Sequence, residues 1–206
     1  QKALQRVRLF KPGTHRWVRI WHRYVDTASA VYAEQPERLQ KMLHKLLLSN
    51  EQCVLSTAKA AALTEYGKHF PERANRWDML HCAARVAESR GNDEKALNRY
   101  RRALAVQPPA SALPGILHGM LIAQVKTAEP TTQIRKTWER LARCSTSSSG
   151  GRFLRSGMLR LVRACIAAEE WSTASELLDR YRDTYGTDKR LRPLTASVRR
   201  NDSDID

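Results

Sequence analysis

Three residues of one short segment constrain the fold of this chain more than any other feature. Ala96, Tyr100 and Ala103 are spaced by four and three residues, and Pro108 follows five residues later. At about 100° per residue, this spacing places the three side chains within roughly 60° of one helix face. A small, a large and a small residue on one narrow face let a second helix approach closely. The segment therefore needs a partner helix, because it cannot bury this face alone.

The residues before this helix complete a helical hairpin. Residues 77–108 read WDMLHCAARVAESRGNDEKALNRYRRALAVQP. Trp77 and Leu80 open a first helix, Ala84 takes the small position where two helices cross, and Gly91 makes the turn. With the second helix described above, this segment of 32 residues resembles one tetratricopeptide repeat. The resemblance implies a helical array that binds other molecules rather than catalysing a reaction.

Apolar residues at helical spacing predict further helices along most of the chain. The predicted helices run from Thr14 to the break at Pro36, and over 37–49, 51–66, 73–90, 113–126, 131–143, 152–168 and 171–185. Ala174, Leu178 and Tyr181 repeat the spacing of four and three. A proline falls where the next small residue should be if a period of 34 residues continues, so the phase is lost there. We expect an all-α fold, an array of antiparallel helical hairpins similar to a tetratricopeptide α-solenoid.

The composition of the two ends and of one internal stretch suggests the domain organisation. Residues 1–13 are basic, end at Pro12 and Gly13, and are expected to form an N-terminal arm. The helical-repeat domain is expected over 14–192, with a flexible loop at 144–151, CSTSSSGG. Residues 193–206 are expected to form a C-terminal tail with an acidic end.

The net charge of +15 is unevenly distributed. Residues 1–25 carry seven Lys or Arg and no acid, and residues 132–163 carry eight against one, whereas 26–131 carry fourteen against eleven. Such basic regions imply a polyanionic partner, most often RNA or DNA. Arg outnumbers Lys by 26 to 10, which suits bidentate phosphate contacts. A GC-rich genome would produce the same excess of Arg, so this ratio leaves both explanations open.

The predicted helix 152–168 has two different sides. Arg152, Arg155, Arg160 and Arg163 share one face, and its apolar residues share the other. A solvated outer face is the alternative interpretation, but like charges without interspersed acids repel one another, which favours polyanion binding. The full set of predicted RNA-binding residues is Lys2, Arg6, Arg8, Lys11, Arg16, Arg19, Arg23, Arg135, Lys136, Arg140, Arg143, Arg152, Arg155, Arg160, Arg163, Arg199 and Arg200.

Aromatic residues accompany the cations of the N-terminal segment. Basic residues interleaved with Phe10, Trp17 and Trp21 suit RNA, because unpaired bases stack on aromatic rings. Trp17, Trp21 and Tyr24, however, recur at four and three residues, which favours a place in the core. Phe10 is then the aromatic residue left for a ligand.

The sequence contains no pattern typical of a catalytic, cofactor or metal site. The four cysteines show no CxxC and no zinc-finger spacing, which favours reduced thiols inside a cell. His81 and Cys82 are adjacent on a predicted helix whose cysteine is expected to pack in the core. No phosphate-binding glycine loop and no run of 18 apolar residues is present. We therefore expect no enzymatic activity, no cofactor and no membrane insertion.

Two functions are compatible with these features. The first is a structural, RNA-contacting subunit of a large ribonucleoprotein, such as a mitochondrial ribosome or its assembly or RNA-processing complex, with rRNA and neighbouring proteins as partners. The start at Gln1 is compatible with removal of a transit peptide and a place in the mitochondrial matrix, and equally with trimming. The second is a protein-protein adaptor whose groove holds a peptide or an acidic partner without RNA. Neither function involves a small-molecule substrate.

Overall fold

The computed structural model describes residues 15–48, 56–145 and 150–203, and their regular elements are all α-helices. In chain order the helices are α1 His15–Val31, α2 Pro36–Leu48, α3 Ser56–His69, α4 Pro71–Ala74, α5 Trp77–Ser89, α6 Asp93–Ala105, α7 Leu113–Lys126, α8 Thr131–Cys144, α9 Gly150–Ala167, α10 Trp171–Tyr185 and α11 Leu191–Ser203. The predicted all-α class is therefore confirmed for this part of the chain.

The first compact unit comprises residues 1–107. Within it, α3 packs against α1, α2, α4 and α5, and α5 packs against α6. Val25, Leu43, Tyr66 and Met79 are each at most 1% exposed and form part of its core. Val31 continues the helical spacing of Val25 and Ala28, yet it is 63% exposed. It is the last residue of α1, and the buried part of that face ends at Ala28.

The second compact unit comprises residues 108–206 and is built around α9. This helix packs against α7, α8, α10 and α11. A Cβ atom at Gly157 would lie only 3.1 Å from Cδ1 of Trp138 and 3.5 Å from side-chain atoms of Leu121 and Leu141. The absence of a side chain at Gly157 thus lets α9 lie closely against α7 and α8.

The helix pairs α5–α6, α7–α8 and α9–α10 bury side chains in one common register. In the first helix of each pair the buried residues are Leu80, Ala84 and Ala87, then Leu117, Leu121 and Gln124, then Met158, Val162 and Cys165. In the second helix they are Ala96, Tyr100 and Ala103, then Ile134, Trp138 and Leu141, then Ala174, Leu178 and Tyr181. All are at most 6% exposed, and every triplet has the spacing of four and three.

The common register persists although the 34-residue period is lost after the first hairpin. The first residues of the three second-helix triplets are Ala96, Ile134 and Ala174, which are separated by 38 and then 40 residues rather than 34. Pro130, the residue that breaks a strict 34-residue period, immediately precedes α8. Its carbonyl accepts a bond from the Ile134 amide, as Asn92 does from Ala96 and Glu170 from Ala174. Between the second and third pairs, part of the added length lies in α9 itself, which has 18 residues against 14 in α7.

The first helix of each pair ends in the same capping motif. Gly91, Ala128 and Glu169 have φ angles of 73°, 53° and 59°. The amide of the following residue donates to the carbonyl five residues earlier, from Asn92 to Ala87, from Glu129 to Gln124 and from Glu170 to Cys165, at 2.9–3.0 Å. This is the hydrogen bond of a Schellman cap. The turn predicted at Gly91 is present. The turns at Ala128 and Glu169 could not be recognised from the sequence, because Ala and Glu rarely adopt positive φ.

Several predicted boundaries differ from the structure, among them the end of the predicted helix 51–66, since α3 continues to His69. The predicted helix 73–90 is divided, because Arg76 is extended with ψ of 151° and α5 begins at Trp77. Cys144 belongs to α8, and Gly150 and Gly151 belong to α9, so both ends of the predicted loop 144–151 are helical, while 146–149 lie outside the described residues.

The predicted tail beginning at residue 193 is helical as far as Ser203. Leu191, Leu194 and Val198 are buried and anchor α11 on the second unit. Pro193, the first residue of the predicted tail, lies in the first turn of α11, where a missing amide hydrogen breaks no intrahelical bond.

Candidate polyanion-binding surfaces

The four arginines of α9 diverge around the helix. Arg152, Arg155 and Arg163 are exposed, and Arg160 is half-buried. The Arg155 guanidinium lies 5.3 Å from the ring centroid of Tyr185 on α10. Since Arg152 and Arg163 are eleven residues apart, they are separated by about 16 Å along the axis. The structure therefore presents a broad basic face rather than one narrow row.

Two of these arginines lie towards α7. The Arg152 guanidinium is 5.2 Å from the Phe153 ring, which is 4.9 Å from the ring of His118. Burial, followed by the positive charges of Arg160 and Arg152, lowers the pKa of His118 to about 4. His118 is consequently neutral at pH 7 and adds no charge to this side of α9.

The α8 cations form a second basic face. Arg135, Lys136, Arg140 and Arg143 are all exposed, on the side of α8 opposite Ile134, Trp138 and Leu141. Glu139 is the one acidic residue of α8, and it lies on the same side. The Arg143 Nε atom donates to the backbone oxygen of Glu139 at 3.4 Å. Arginine therefore predominates on the exposed sides of both α8 and α9, which pack against each other.

The predicted N-terminal site is only partly described. Arg19 and Arg23 are exposed on α1. Arg16 belongs to α1, but its side chain lies outside the described residues, as do those of Trp17 and Trp21. Lys2, Arg6, Arg8, Phe10 and Lys11 also lie outside them. The interleaving of cations and aromatic rings predicted for this segment stays a prediction.

Arg199 and Arg200 occupy different surroundings on α11. Arg199 lines a cleft together with Arg182, Lys189 and Arg192, whereas Arg200 is exposed outside it. Sequence analysis included Arg199 but missed the other three cations. The spacing of Arg192, Thr195 and Arg199 on one helix face was the available signal, but the contributions of α10 and of the connection after it are tertiary.

A smaller groove of about 350 Å³ lies in the first unit, among α3, α5 and α6. Its polar lining consists of Thr64, Arg90, Asn92, Lys95 and Arg99, with no carboxylate among the lining residues. One terminal nitrogen of Arg99 donates to the carbonyl of Ala83 at 2.7 Å, which fixes its guanidinium. Asn92 lines the groove together with the cations Arg90, Lys95 and Arg99.

Cys82 is buried and the adjacent His81 is half-buried, and the two side chains have different environments. The Cys82 thiol donates to the carbonyl oxygen of Leu47 at 3.4 Å, and burial raises its pKa. Burial, with a smaller effect of Arg85, lowers the pKa of His81 to about 4. A raised thiol pKa disfavours the thiolate that nucleophilic catalysis uses. Cys82 therefore contributes to packing and not to a thiolate-imidazole pair.

The described ranges 15–48, 56–145 and 150–203 hold no candidate metal centre. There, Cys82, Cys144 and Cys165 are free thiols, and no three His, Cys, Asp or Glu side chains cluster as metal ligands would. None of the described helices combines the length and apolar character needed to cross a bilayer.

Comparison with known proteins returned no relative. No protein-family model matches the chain, and neither does any curated protein or solved structure.

Proposed function

We propose that this chain is a structural, RNA-contacting helical-repeat subunit of a large ribonucleoprotein. The observation that carries the proposal is the exposure of seven cations on α8 and α9, namely Arg135, Lys136, Arg140, Arg143, Arg152, Arg155 and Arg163, with Glu139 as the one acid between residues 132 and 163. Phosphates neutralise such clusters and release counterions, which provides the driving force for binding.

The tetratricopeptide-like part of the proposal is supported by the common register of three helix pairs. Each pair buries two triplets and ends its first helix in the same cap, as repeats of one supersecondary unit would. An array of antiparallel hairpins would hold the basic faces on a frame that neighbouring proteins could contact. A mitochondrial ribosome, or its assembly or RNA-processing complex, in the mitochondrial matrix is the setting we propose.

RNA binding is tested by replacing four exposed cations, Arg140, Arg143, Arg152 and Arg163, with Gln. Each phosphate contact on a single strand contributes about −0.7 to the slope of log K against log salt. We expect the variant to lose roughly two to three units of slope and more than tenfold in affinity at low salt. Fluorescence anisotropy with a single-stranded RNA at several salt concentrations measures both quantities.

The control removes charge from exposed cations of the nearly neutral region. Replacing Arg38, Lys41, Arg73 and Arg85 with Gln changes the net charge equally, and all four are exposed in the first unit. We expect a smaller loss of slope. Equal losses in the two variants, or wild-type binding that is insensitive to salt, would contradict the proposal.

A protein-protein adaptor is the second candidate, and the groove among α3, α5 and α6 favours it. Asn92, Lys95 and Arg99 could hold the carboxylate of a peptide, since amide and cationic groups donate to carboxylate oxygens. Affinity purification with and without nuclease distinguishes the two candidates. Partners that persist after nuclease treatment, and in the α8–α9 variant, would favour the adaptor.

A further inference from the structure

A cleft rich in cations lies in the second unit, beside α11. We call it the C-terminal basic cleft; its volume is about 620 Å³, and it is bounded by the end of α10, the connection that follows and one side of α11. Four cations line it: Arg182, Lys189, Arg192 and Arg199. This volume falls within the range of small-molecule sites, about 300–1,000 Å³, so the cleft has room for more than one inorganic phosphate.

The one carboxylate of the cleft, Asp188, is already balanced by a neighbouring cation. Asp188 accepts bonds from the Arg190 Nε at 2.9 Å and from the Tyr181 hydroxyl at 3.0 Å. The Arg190 guanidinium holds the pKa of Asp188 well below its usual range. Arg190 does not line the cleft, so its charge offsets Asp188 from outside. The lining is therefore net positive.

A hydroxyl donor is oriented inside the cleft. The Arg182 guanidinium donates to the Thr195 Oγ1 at 2.9 Å and is braced at its other end by Asp179 at 2.7 Å. A threonine hydroxyl that accepts from Arg retains its own hydrogen for donation. Thr195 is thus prepared to donate to an anion in the cleft.

The cleft-lining residues of α11 form one continuous face. Arg192, Thr195, Ala196 and Arg199 follow the spacing i, i+3, i+4 and i+7, which keeps them on one side of the helix. Arg192 and Arg199 are two turns apart, about 10 Å along the axis. Cations spread over this length, with a hydroxyl between them, suit a ligand with several anionic groups better than a single carboxylate.

We propose that the C-terminal basic cleft binds a ligand that carries two or more phosphate groups, through Lys189, Arg192 and the Thr195 hydroxyl. Arg and Lys both donate charge-assisted hydrogen bonds to phosphate oxygens. The proposal concerns a surface other than α8 and α9, and it does not require that the ligand be RNA.

The probe for the test is tripolyphosphate, titrated into the full chain by calorimetry. We expect one site per chain, with weaker binding of inorganic phosphate. Arg192→Gln should weaken tripolyphosphate binding about tenfold, because a charged hydrogen-bonding group is lost. Lys189→Gln should act in the same direction, and Thr195→Val, which removes the hydroxyl, should weaken binding by about threefold.

Arg38→Gln is the matched control. It removes the same charge, but Arg38 is exposed on α2 and does not line the cleft. We expect a change of less than about twofold, since only the long-range field is altered. Thermal unfolding of each variant verifies that it folds, and Lys189→Gln replaces Arg192→Gln if the latter does not. Equal weakening by Arg192→Gln and Arg38→Gln, or no binding of tripolyphosphate, would overturn the proposal.

Competition with single-stranded RNA identifies the source of the phosphates. If RNA displaces tripolyphosphate and Arg192→Gln also weakens RNA binding, the cleft holds backbone phosphates. If RNA binds without displacing tripolyphosphate, the ligand is a free polyphosphate or a nucleotide. Failure of RNA binding with intact tripolyphosphate binding would contradict only the function proposed above.

Discussion

The helix pairs α5–α6 and α9–α10 have equivalent interiors and different exteriors. Both bury two triplets in the same register, with Ala84 corresponding to Val162 and Tyr100 to Leu178. Of the two first helices, α5 carries Arg85 together with the acids Asp78 and Glu88, whereas α9 carries four arginines and no acid. The packing of a pair is therefore set by one group of positions, and its charge is set by another. Fold and binding properties can change independently in this protein.

The largest expected effect tests the equivalence of the two interiors. Tyr100→Ala should lower the free energy of unfolding by about 3–5 kcal/mol and Leu178→Ala by about 2–5 kcal/mol, because each leaves a cavity at the same register position. Denaturant unfolding measures both. Tyr100→Phe is the control: it removes only the hydroxyl, which donates to Glu88 at 3.0 Å, and should cost about 1 kcal/mol. A loss below about 1 kcal/mol for Leu178→Ala would show that the register is not equivalent.

The next effect compares a half-buried histidine from each unit. The pKa values of His81 and His118 are lowered to about 4 by burial, so the unfolded chain binds more protons than the folded chain between about pH 6.5 and pH 4. Stability should therefore fall as the pH falls through this window. At pH 5, protonation linked to His81 should lower the free energy of unfolding by about 2 kcal/mol, and that linked to His118 should lower it by a smaller amount.

Unfolding curves at pH 7 and pH 5 for His81→Gln and His118→Gln measure these contributions. Each variant should lose less stability between the two pH values than the wild type does. The reduction should be larger for His81→Gln. An unchanged pH dependence in both variants would mean that these histidines protonate equally in the folded and unfolded chain.

The smallest expected effect concerns the three caps. Gly91→Ala should destabilise the chain by about 1 kcal/mol, whereas Ala128→Gly and Glu169→Gly should stabilise it by about 0.5–1 kcal/mol, because glycine adopts positive φ without a steric penalty. Thermal midpoints measure the sign. Glu169→Gln keeps the strained backbone and removes the charge, so it should give no comparable gain. Destabilisation by both glycine substitutions would contradict the equivalence of the caps.

Local patterns predicted the elements well, as particular helices show. The predicted ranges 113–126 and 171–185 coincide with α7 and α10, and Ala96, Tyr100 and Ala103 are buried as their spacing indicated. A fixed period of 34 residues does not reveal the common register, because both the connections and the first helices differ in length. Ala and Glu are not typical turn residues, so the sequence does not reveal the positive φ angles at Ala128 and Glu169.

The candidate sites also differ in whether local sequence patterns could identify them. The arginines of α8 and α9 could be selected from sequence, because helical spacing fixes which residues share a side. The C-terminal basic cleft could not, because Arg182, Lys189 and Arg192 come from α10, a connection and α11, and their grouping depends on how these elements pack. The structure was also needed to see that Arg190 donates to Asp188. The same holds for the hydrogen bond from Arg182 to Asp179.

The connection after α6 allows the chain to vary in length without disturbing its interior. Pro109, Ala110 and Ser111 are exposed, and residue 107 is the last of the first compact unit. Doubling the length of a flexible loop costs only about 0.6 kcal/mol, far less than moving one buried side chain out of register. Insertions and deletions can therefore accumulate in such a segment during evolution, while each helix pair is preserved. The helix pairs of this chain are therefore better aligned with one another by their caps than by a constant number of residues.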